Sequence, residues 1–316
     1  MLVPRQGRRE RSYRKGTGAT EDAASGRAAR PEGLASVSSQ PPQFFAVDVG
    51  GSAIKSGLVA DRKVEELARE PVSPELDGLV AQLSRLVSGK TDWGLSIAGL
   101  VDAEHGTVHY AVNLPLRDTR LAELLSPRPR VFVNDLVAAT VGEADGGTLA
   151  LLQVGTGIAG RFARDGVVAS AEPYAGEVGH LRFRDDGLAC RCGKHGCAEA
   201  YGSWGGILER FRAAGRPSLT PVELLEQAAT DDWAAEILRD ALDAIGFSAA
   251  TLVAAWDPGT LRLGGGVATT WGETLLDAVR ASLDERVLPD LAAGTTVAQA
   301  RFGDAAPLLG LAALAR

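Results

Sequence analysis

Phe44-Phe45-Ala46-Val47-Asp48-Val49-Gly50-Gly51-Ser52-Ala53-Ile54-Lys55-Ser56-Gly57-Leu58-Val59 is the stretch on which the fold turns. Its first six residues form an apolar strand. Gly50-Gly51-Ser52 is a tight turn, and Ala53 to Val59 is a second strand with Ile54, Leu58 and Val59 apolar. Strand, glycine turn, strand is a hairpin signal. The pattern returns later. Thr148 to Val154 reads as a strand that ends at Gly155-Thr156-Gly157, and Phe162 to Val168 reads as its hairpin partner.

Working outward from these two turns, Lys63 to Ala68 is a third strand, and Leu79, Leu83 and Leu86 have helical spacing. Trp93 to Ile97 and Val131 to Val133 are further strands. Asn134-Asp135 opens a helix through Ala138, Val141 and Glu143. Residues 204–256 read as mainly helical, punctuated by Pro217 and Pro221. Leu261 to Leu263 is a short strand running into Gly264-Gly265-Gly266. Helices follow near Glu273 to Leu283 and near Ala305 to Leu314. Hairpin-rich sheets with helices, occurring twice, imply two related α/β lobes around a cleft.

The 316 residues leave room for one or two domains with real cores, and no run is long and apolar enough for a membrane span. A net charge of -7 argues against general nucleic-acid binding. Residues 1–42 are rich in Arg, Gly, Ala, Ser and Pro and nearly free of periodic apolar residues, so they read as a disordered tail. A basic binding arm is the alternative. The N-terminus has no secretory pattern, and the expected location is cytoplasmic.

The three cysteines, Cys190, Cys192 and Cys197, fall in one short stretch. An odd, tight cluster is a poor disulfide framework and points to a metal in a reducing compartment. With His180 they make a three-thiolate, one-imidazole set that suits structural Zn²⁺. Gly193 and Gly196 let the chain wrap around the ion. His195 is a rival fourth ligand, but it sits between two of the cysteines with awkward reach.

The glycine turns offer backbone N–H groups. Gly50 and Gly51 can cup a phosphate, and so can Gly155 with Thr156. Asp48 at a strand end can hold hydrated Mg²⁺. Gly264, Gly265 and Gly266 allow the backbone to approach a nucleotide. A plain hairpin turn also explains any one of them. None ends in the Lys-Ser/Thr of a Walker loop. Asp135 reads either as an N-cap or as a base that takes a proton from a sugar hydroxyl. Asn113, Asn134, Glu177, His180 and Glu199 supply the paired donors and acceptors that a sugar needs. Glu199 lies two residues beyond Cys197, where a metal knot would fix its place.

These residues resemble the ROK family of sugar kinases, repressors and open reading frames. The matching motifs are Asp48-Val-Gly-Gly-Ser-Ala-Ile-Lys55, Gly99-Leu-Val-Asp102, Asn113-Leu-Pro115, Asn134-Asp135, Gly155-Thr-Gly157, Glu177-Val-Gly-His180, the run from Cys190 to Glu199, Asp257-Pro258 and Leu263-Gly-Gly-Gly266. The resemblance implies a two-lobed, actin-like (ribonuclease H-like) α/β fold with mixed sheets around a central cleft. It places one lobe at 43–145, completed by the C-terminal helix 304–316, and the other, with the zinc loop, at 146–303. It implies ATP with Mg²⁺ as phosphate donor, a hexose as acceptor, Asp135 as the catalytic base and a homodimer. Asn113, Asn134, Glu177, His180 and Glu199 would hold the sugar, with His180 serving zinc and sugar through its two ring nitrogens. Asp48, Gly50, Gly51, Lys55, Gly155 and Thr156 would face the phosphates and Gly265 the nucleotide. Polyphosphate is an alternative donor.

Several positions depart from the family's pattern: Ala98 for a proline, Leu136 and Val137 after Asn-Asp, and Ala159 and Arg161 in a glycine-rich stretch. Arg161 would crowd the phosphates or contact them. Family repressors carry a winged-helix domain before the sugar domain, and the residues before Phe44 have no helix-turn-helix periodicity. The expected activity is therefore a glucokinase-like kinase, with a catalytically weak sugar sensor as the alternative.

Overall fold

The computed structural model describes residues 43–316, so the expectation for the tail at 1–42 lies outside the described residues. The chain builds two five-stranded sheets. The first contains β1 (Phe44–Val49), β2 (Ala53–Ala60), β3 (Lys63–Pro71), β4 (Trp93–Ile97) and β8 (Val131–Asn134), in the order β3-β2-β1-β4-β8. The second contains β9 (Thr148–Val154), β10 (Ile158–Arg164), β11 (Val167–Val168), β12 (Thr260–Gly264) and β13 (Thr296–Gln299), in the order β11-β10-β9-β12-β13. In each, an antiparallel meander continues into two parallel strands. The same mixed order therefore occurs twice, which is the two-lobed, actin-like plan. A small sheet of β5 (Leu100–Asp102), β6 (Thr107–Tyr110) and β7 (Arg117–Thr119) rises from the first.

β1 is apolar on both faces because both are covered. Val47 and Val49 pack with Leu79 and Leu83 of α1 (Leu76–Leu86). Phe44 and Ala46 pack with Leu308 and Leu311 of α9 (Ala306–Leu314), and with Ala138 of α2 (Asp135–Glu143). α9 is apolar all round, as a fully covered helix must be. Gly142 and Gly310 let α2 and α9 meet backbone to backbone, since a Cβ on either would overlap the other helix.

The second sheet is covered on one face by α4 (Trp204–Ala213), α5 (Pro221–Gln227), α6 (Asp232–Trp256) and α7 (Gly266–Arg286). Its other face meets α2, where Leu151 packs with Leu136 and Ala139. Two short helices complete the set, α3 (Ala198–Gly202) and α8 (Pro289–Gly294). Thus α2 lies between the sheets, and its first residue is Asp135. Among the described residues no helix is long and apolar enough to cross a membrane.

Three readings of the sequence need correction. β10 begins at Ile158, four residues before the expected Phe162, and β11 is a separate strand. Asp165 and Gly166, both at positive φ, turn the chain between them. The helix expected from Glu273 begins at Gly266, and its course breaks at Gly272 (φ 50°, ψ -128°). The small sheet, β13 and α8 were not anticipated. Strands of three or four residues carry too little alternation to stand out.

Candidate functional site

The parallel strands β1, β4 and β8 end side by side. Asp48 pairs in register with Ser96, and Ile97 with Asn134. Asp48 is buried. Ser96 Oγ donates to its Oδ1 at 2.7 Å, and Lys55 Nζ donates to its Oδ2 at 3.3 Å. Lys55 also pairs with Asp304 Oδ1 at 3.1 Å, and Asp304 with Arg69 at 3.2 Å. Burial raises the Asp48 carboxyl above its usual range, while the Lys55 ammonium opposes that shift. Lys55, expected beside the phosphates, is thus held in an ion-pair chain. A metal ion reaching Asp48 would do so through its own water shell, because both carboxylate oxygens already have partners.

The N-cap and base readings of Asn134-Asp135 separate cleanly. Asn134 is the cap: its Oδ1 accepts from Leu136 N at 3.0 Å and Val137 N at 3.2 Å. Its Nδ2 donates to Gly99 O at 3.0 Å, which leaves one amide N–H for a ligand. Asp135 Oδ1 accepts from Leu136 N at 2.8 Å, and Oδ2 has no protein partner among the described residues. Burial, and then the negative charge of Asp48, push the Asp135 carboxyl up to about 6. The Leu136 amide and Lys55 act against that rise. Asp135 is therefore a carboxylate near neutral pH with one oxygen open and a proton affinity suited to base work.

The four expected metal ligands converge. The ligand atoms of His180, Cys190, Cys192 and Cys197 all lie within 4.8 Å of one another. Cys190 Sγ is 3.6 Å from His180 Nδ1, and Cys192 Sγ is 3.6 Å from Cys197 Sγ. A tetrahedron with zinc–sulfur bonds of about 2.3 Å has edges of about 3.8 Å, so the donors fit Zn²⁺ in spacing and in chemistry. Burial pushes the Cys190 thiol up to about 12, and a bound cation would act in the opposite direction by favouring the thiolate. His195 stands apart, its Nδ1 3.3 Å from Gly187 O.

His180 turns its other nitrogen toward the carboxylates. Nε2 is 3.8 Å from both Glu177 Oε2 and Glu199 Oε1. Burial raises the Glu177 carboxyl, with His180 opposing and Glu199 adding to the rise. Glu199 Oε2 accepts from Ile158 N at 2.9 Å, which ties the segment after Cys197 to the second glycine turn. Asn113 lies exposed against Gly51, where a Cβ would come within 3.0 Å of its Nδ2.

The turns differ from expectation in one respect. Gly50 N donates to Ala53 O at 3.0 Å, and Gly155 N donates to Gly157 O at 3.0 Å, so these two amides close their own turns. The amides of Gly51 and Thr156 have no protein acceptor among the described residues. Gly265 has φ 89° and a Cβ there would collide with the Val154 backbone, so only glycine fits where β12 meets α7. Arg161, expected at the phosphates, instead donates from Nη1 to Glu172 O at 3.2 Å. Ser96 and Asp304 were not anticipated. The signal for Ser96 was a lone polar residue inside an apolar strand.

The model of the ROK family matches residues 44–316. A glucokinase from Halalkalibacterium halodurans is 28% identical over 308 residues, which cover 84% of this chain and 93% of that one. An N-acetylmannosamine kinase from Vibrio cholerae is 26% identical over 247 residues, covering 72% and 85%. A crystal structure of a ROK family glucokinase from Streptomyces griseus in complex with glucose and AMPPNP superposes with a TM-score of 0.71 at 26% identity, covering 86% of this chain and 99% of that one.

Proposed function

This chain belongs to the ROK family, and from that premise we propose that it is an ATP-dependent hexose kinase in which Asp135 is the general base. The observation that carries the base assignment is the open Oδ2 of Asp135, on a carboxyl raised to about 6, at the head of the helix between the two sheets. The acceptor hydroxyl gives its proton to Asp135 as its oxygen bonds to the terminal phosphorus, and the bond from that phosphorus to the departing nucleotide breaks. The amides of Gly51 and Thr156 face the phosphates. Mg²⁺ carried with the nucleotide neutralises charge on the phosphates. Asn113, the free amide N–H of Asn134, Glu177, His180 Nε2 and Glu199 hold the sugar.

His180 Nδ1, Cys190, Cys192 and Cys197 would hold Zn²⁺. A closed set of four protein donors leaves no place for a reacting water, so the ion's part is structural. It would fix His180 and Glu199, and through Glu199 the second turn. The lobe bounds of 43–145 with 304–316, and 146–303, a reducing cytoplasmic setting and a homodimer belong to the same reading. Sedimentation of the purified chain measures the last.

The test is a screen of hexoses with ATP and with polyphosphate, reading hexose-dependent release of ADP or shortening of polyphosphate. Turnover with one hexose and ATP is the expected result. A sugar that shifts the melting temperature without any turnover would replace the kinase with a sensor.

A further inference from the structure

Arg161 interrupts a stretch that is glycine-rich in the family this chain resembles, and nothing in the reaction just described uses it. It lies on β10 in register with Leu151 of β9. Leu151, and Ala159 two residues before Arg161, both pack toward Leu136 and Ala139 of α2. Alternate residues of a strand share a face, so Arg161 points from the second sheet toward the helix that Asp135 begins. Its side chain is only 5% exposed. Nη1 donates to Glu172 O at 3.2 Å and reaches Ser170 O at 3.5 Å, while Nε is buried without a partner among the described residues. Burying a guanidinium with an unmatched N–H is costly unless charge or a ligand compensates.

The segment that Arg161 grips leads directly to the sugar side of the site. Gly160 N donates to Gly176 O at 2.8 Å, and at Gly176 (φ 79°) a side chain would collide with Gly160 O. Residues 170–176 therefore lie along β10, held at one end by Arg161 and at the other by this glycine contact. The next residue is Glu177. The guanidinium is also within Coulombic reach of two carboxylates, Glu177 and then Asp135, whose charges favour its ionised form against the cost of burial.

We propose that Arg161 is a positioning residue for the acceptor sugar: it straps the 170–176 segment to β10 so that Glu177 stands at the sugar, and it places a positive charge between Glu177 and Asp135. This rests on the hexose-kinase reading. In the family pattern a glycine would leave both the strap and the charge missing, so Arg161 makes the acceptor side of this chain its own.

Steady-state kinetics of the full chain test it, with the hexose of highest turnover among glucose, mannose and N-acetylmannosamine. Arg161→Gly is expected to raise the hexose KM about tenfold while the KM for ATP moves less than about twofold. Arg161→Lys, which keeps the charge but cannot grip both carbonyls, is expected to recover part of the loss. An unchanged hexose KM in Arg161→Gly overturns the proposal, and so does an equal rise in both KM values. If Arg161→Gly does not fold, Arg161→Lys decides alone: a selective rise of about threefold in hexose KM supports the strap, and wild-type values overturn it. If no hexose turns over, loss of the hexose-induced melting shift in Arg161→Gly gives the same answer. A chain that neither phosphorylates nor binds any hexose sinks this proposal together with the kinase. Full activity in Asp135→Asn would sink the base assignment alone.

Discussion

The two sheets have the same strand order and opposite chemistry. Each has a central strand that ends in a glycine turn, β1 at Gly50 and β9 at Gly155. One residue before the end of β1 stands Asp48, buried and paired with Ser96 and Lys55. The corresponding place on β9 is Gln153, a neutral amide against Gly264. The first sheet also sends α2 out from β8 with Asp135 at its head. In the second sheet β12, the counterpart of β4, runs into α7 through three glycines and no carboxylate. At these strand ends the repeated framework therefore carries carboxylates on the first sheet and an amide and bare backbone on the second. Under the proposed reading the base would stand on the first sheet, while Glu177, His180 and Glu199 would reach the sugar from the second lobe.

The largest test of this division removes the proposed base. Asp135→Asn should lower kcat by about 10²–10⁴-fold and leave ATP binding unchanged, read by turnover and by calorimetric titration. Gln153→Ala, the matching place on the other sheet, should keep the chemical step and weaken ATP binding instead. Stability should move the opposite way from activity. The Asp135 carboxyl binds its proton more tightly folded, at about 6, than at the ordinary 3.8. Its contribution to stability is present below the lower value and lost as pH rises through the upper one. At pH 8 the folded state carries an ionised, mostly enclosed carboxylate, so Asp135→Asn should be more stable by about 1–3 kcal/mol. A denaturation curve at pH 8 with no gain would show that the carboxyl is better solvated than its surroundings suggest.

Next in size is the Cys3His cluster, whose proposed metal would brace the second sheet's turn through Glu199. Stripping the metal with a chelator, or replacing Cys192 with Ser, should weaken hexose binding about 10–100-fold and lower the melting temperature. ATP binding should fall less, because the cluster reaches the turn only through one carboxylate. Equal losses for both ligands would erase the distinction between an acceptor side and a nucleotide side.

How much of this could be read from the chain depends on how far apart the cooperating residues are. His180 and the three cysteines lie close in sequence, and thiols with an imidazole have few other uses together, so the four side chains that converge were identifiable. The strand–glycine–strand turns were equally plain, because period-two apolar runs and glycines are local signals. Lys55 with Asp304 was not, since the pair joins the start of the fold to its last segment and no local pattern marks it. Nor could composition show that Gly50 and Gly155 use their own amides inside the turns. That depends on which carbonyl each turn brings back, at Ala53 and at Gly157. Asp135 was legible as a carboxylate at a helix start, but its separation from the cap required the Asn134 contacts.

A third test uses pH. A base that must be ionised loses activity as pH falls through its pKa, so kcat/KM should decline below about pH 6 and be about tenfold lower at pH 5 than at its plateau. The groups facing Asp135 are Asp48, Lys55 and, from the second sheet, Arg161. Removing the Asp48 charge by Asp48→Asn should move the limb to lower pH, because that charge is one cause of the rise. A limb that stays in place would mean that burial alone sets it.

The smallest effect comes from the same substitution in each turn. A methyl at Gly51 would stand 3.0 Å from Asn113 Nδ2 and 3.1 Å from its Cβ, so Asn113 must shift. A methyl at Gly157 would stand 2.7 Å from Glu199 Oε2, which must then release Ile158 N. Neither glycine has a positive φ, so the strain comes from these contacts and not from the backbone. Gly51→Ala should raise the hexose KM about two- to fivefold, because it moves Asn113, which the proposed reading sets at the sugar, and leaves the amide of residue 51 in place. Gly157→Ala disturbs Glu199, which the proposed reading gives to the sugar and which is bonded to the second turn, so it should raise both KM values by a similar few-fold amount. If the two substitutions behaved alike, the second turn would not be braced by the metal cluster at all. Glu199 would then be a sugar ligand only, and the asymmetry between the two sheets would reduce to where the carboxylates sit.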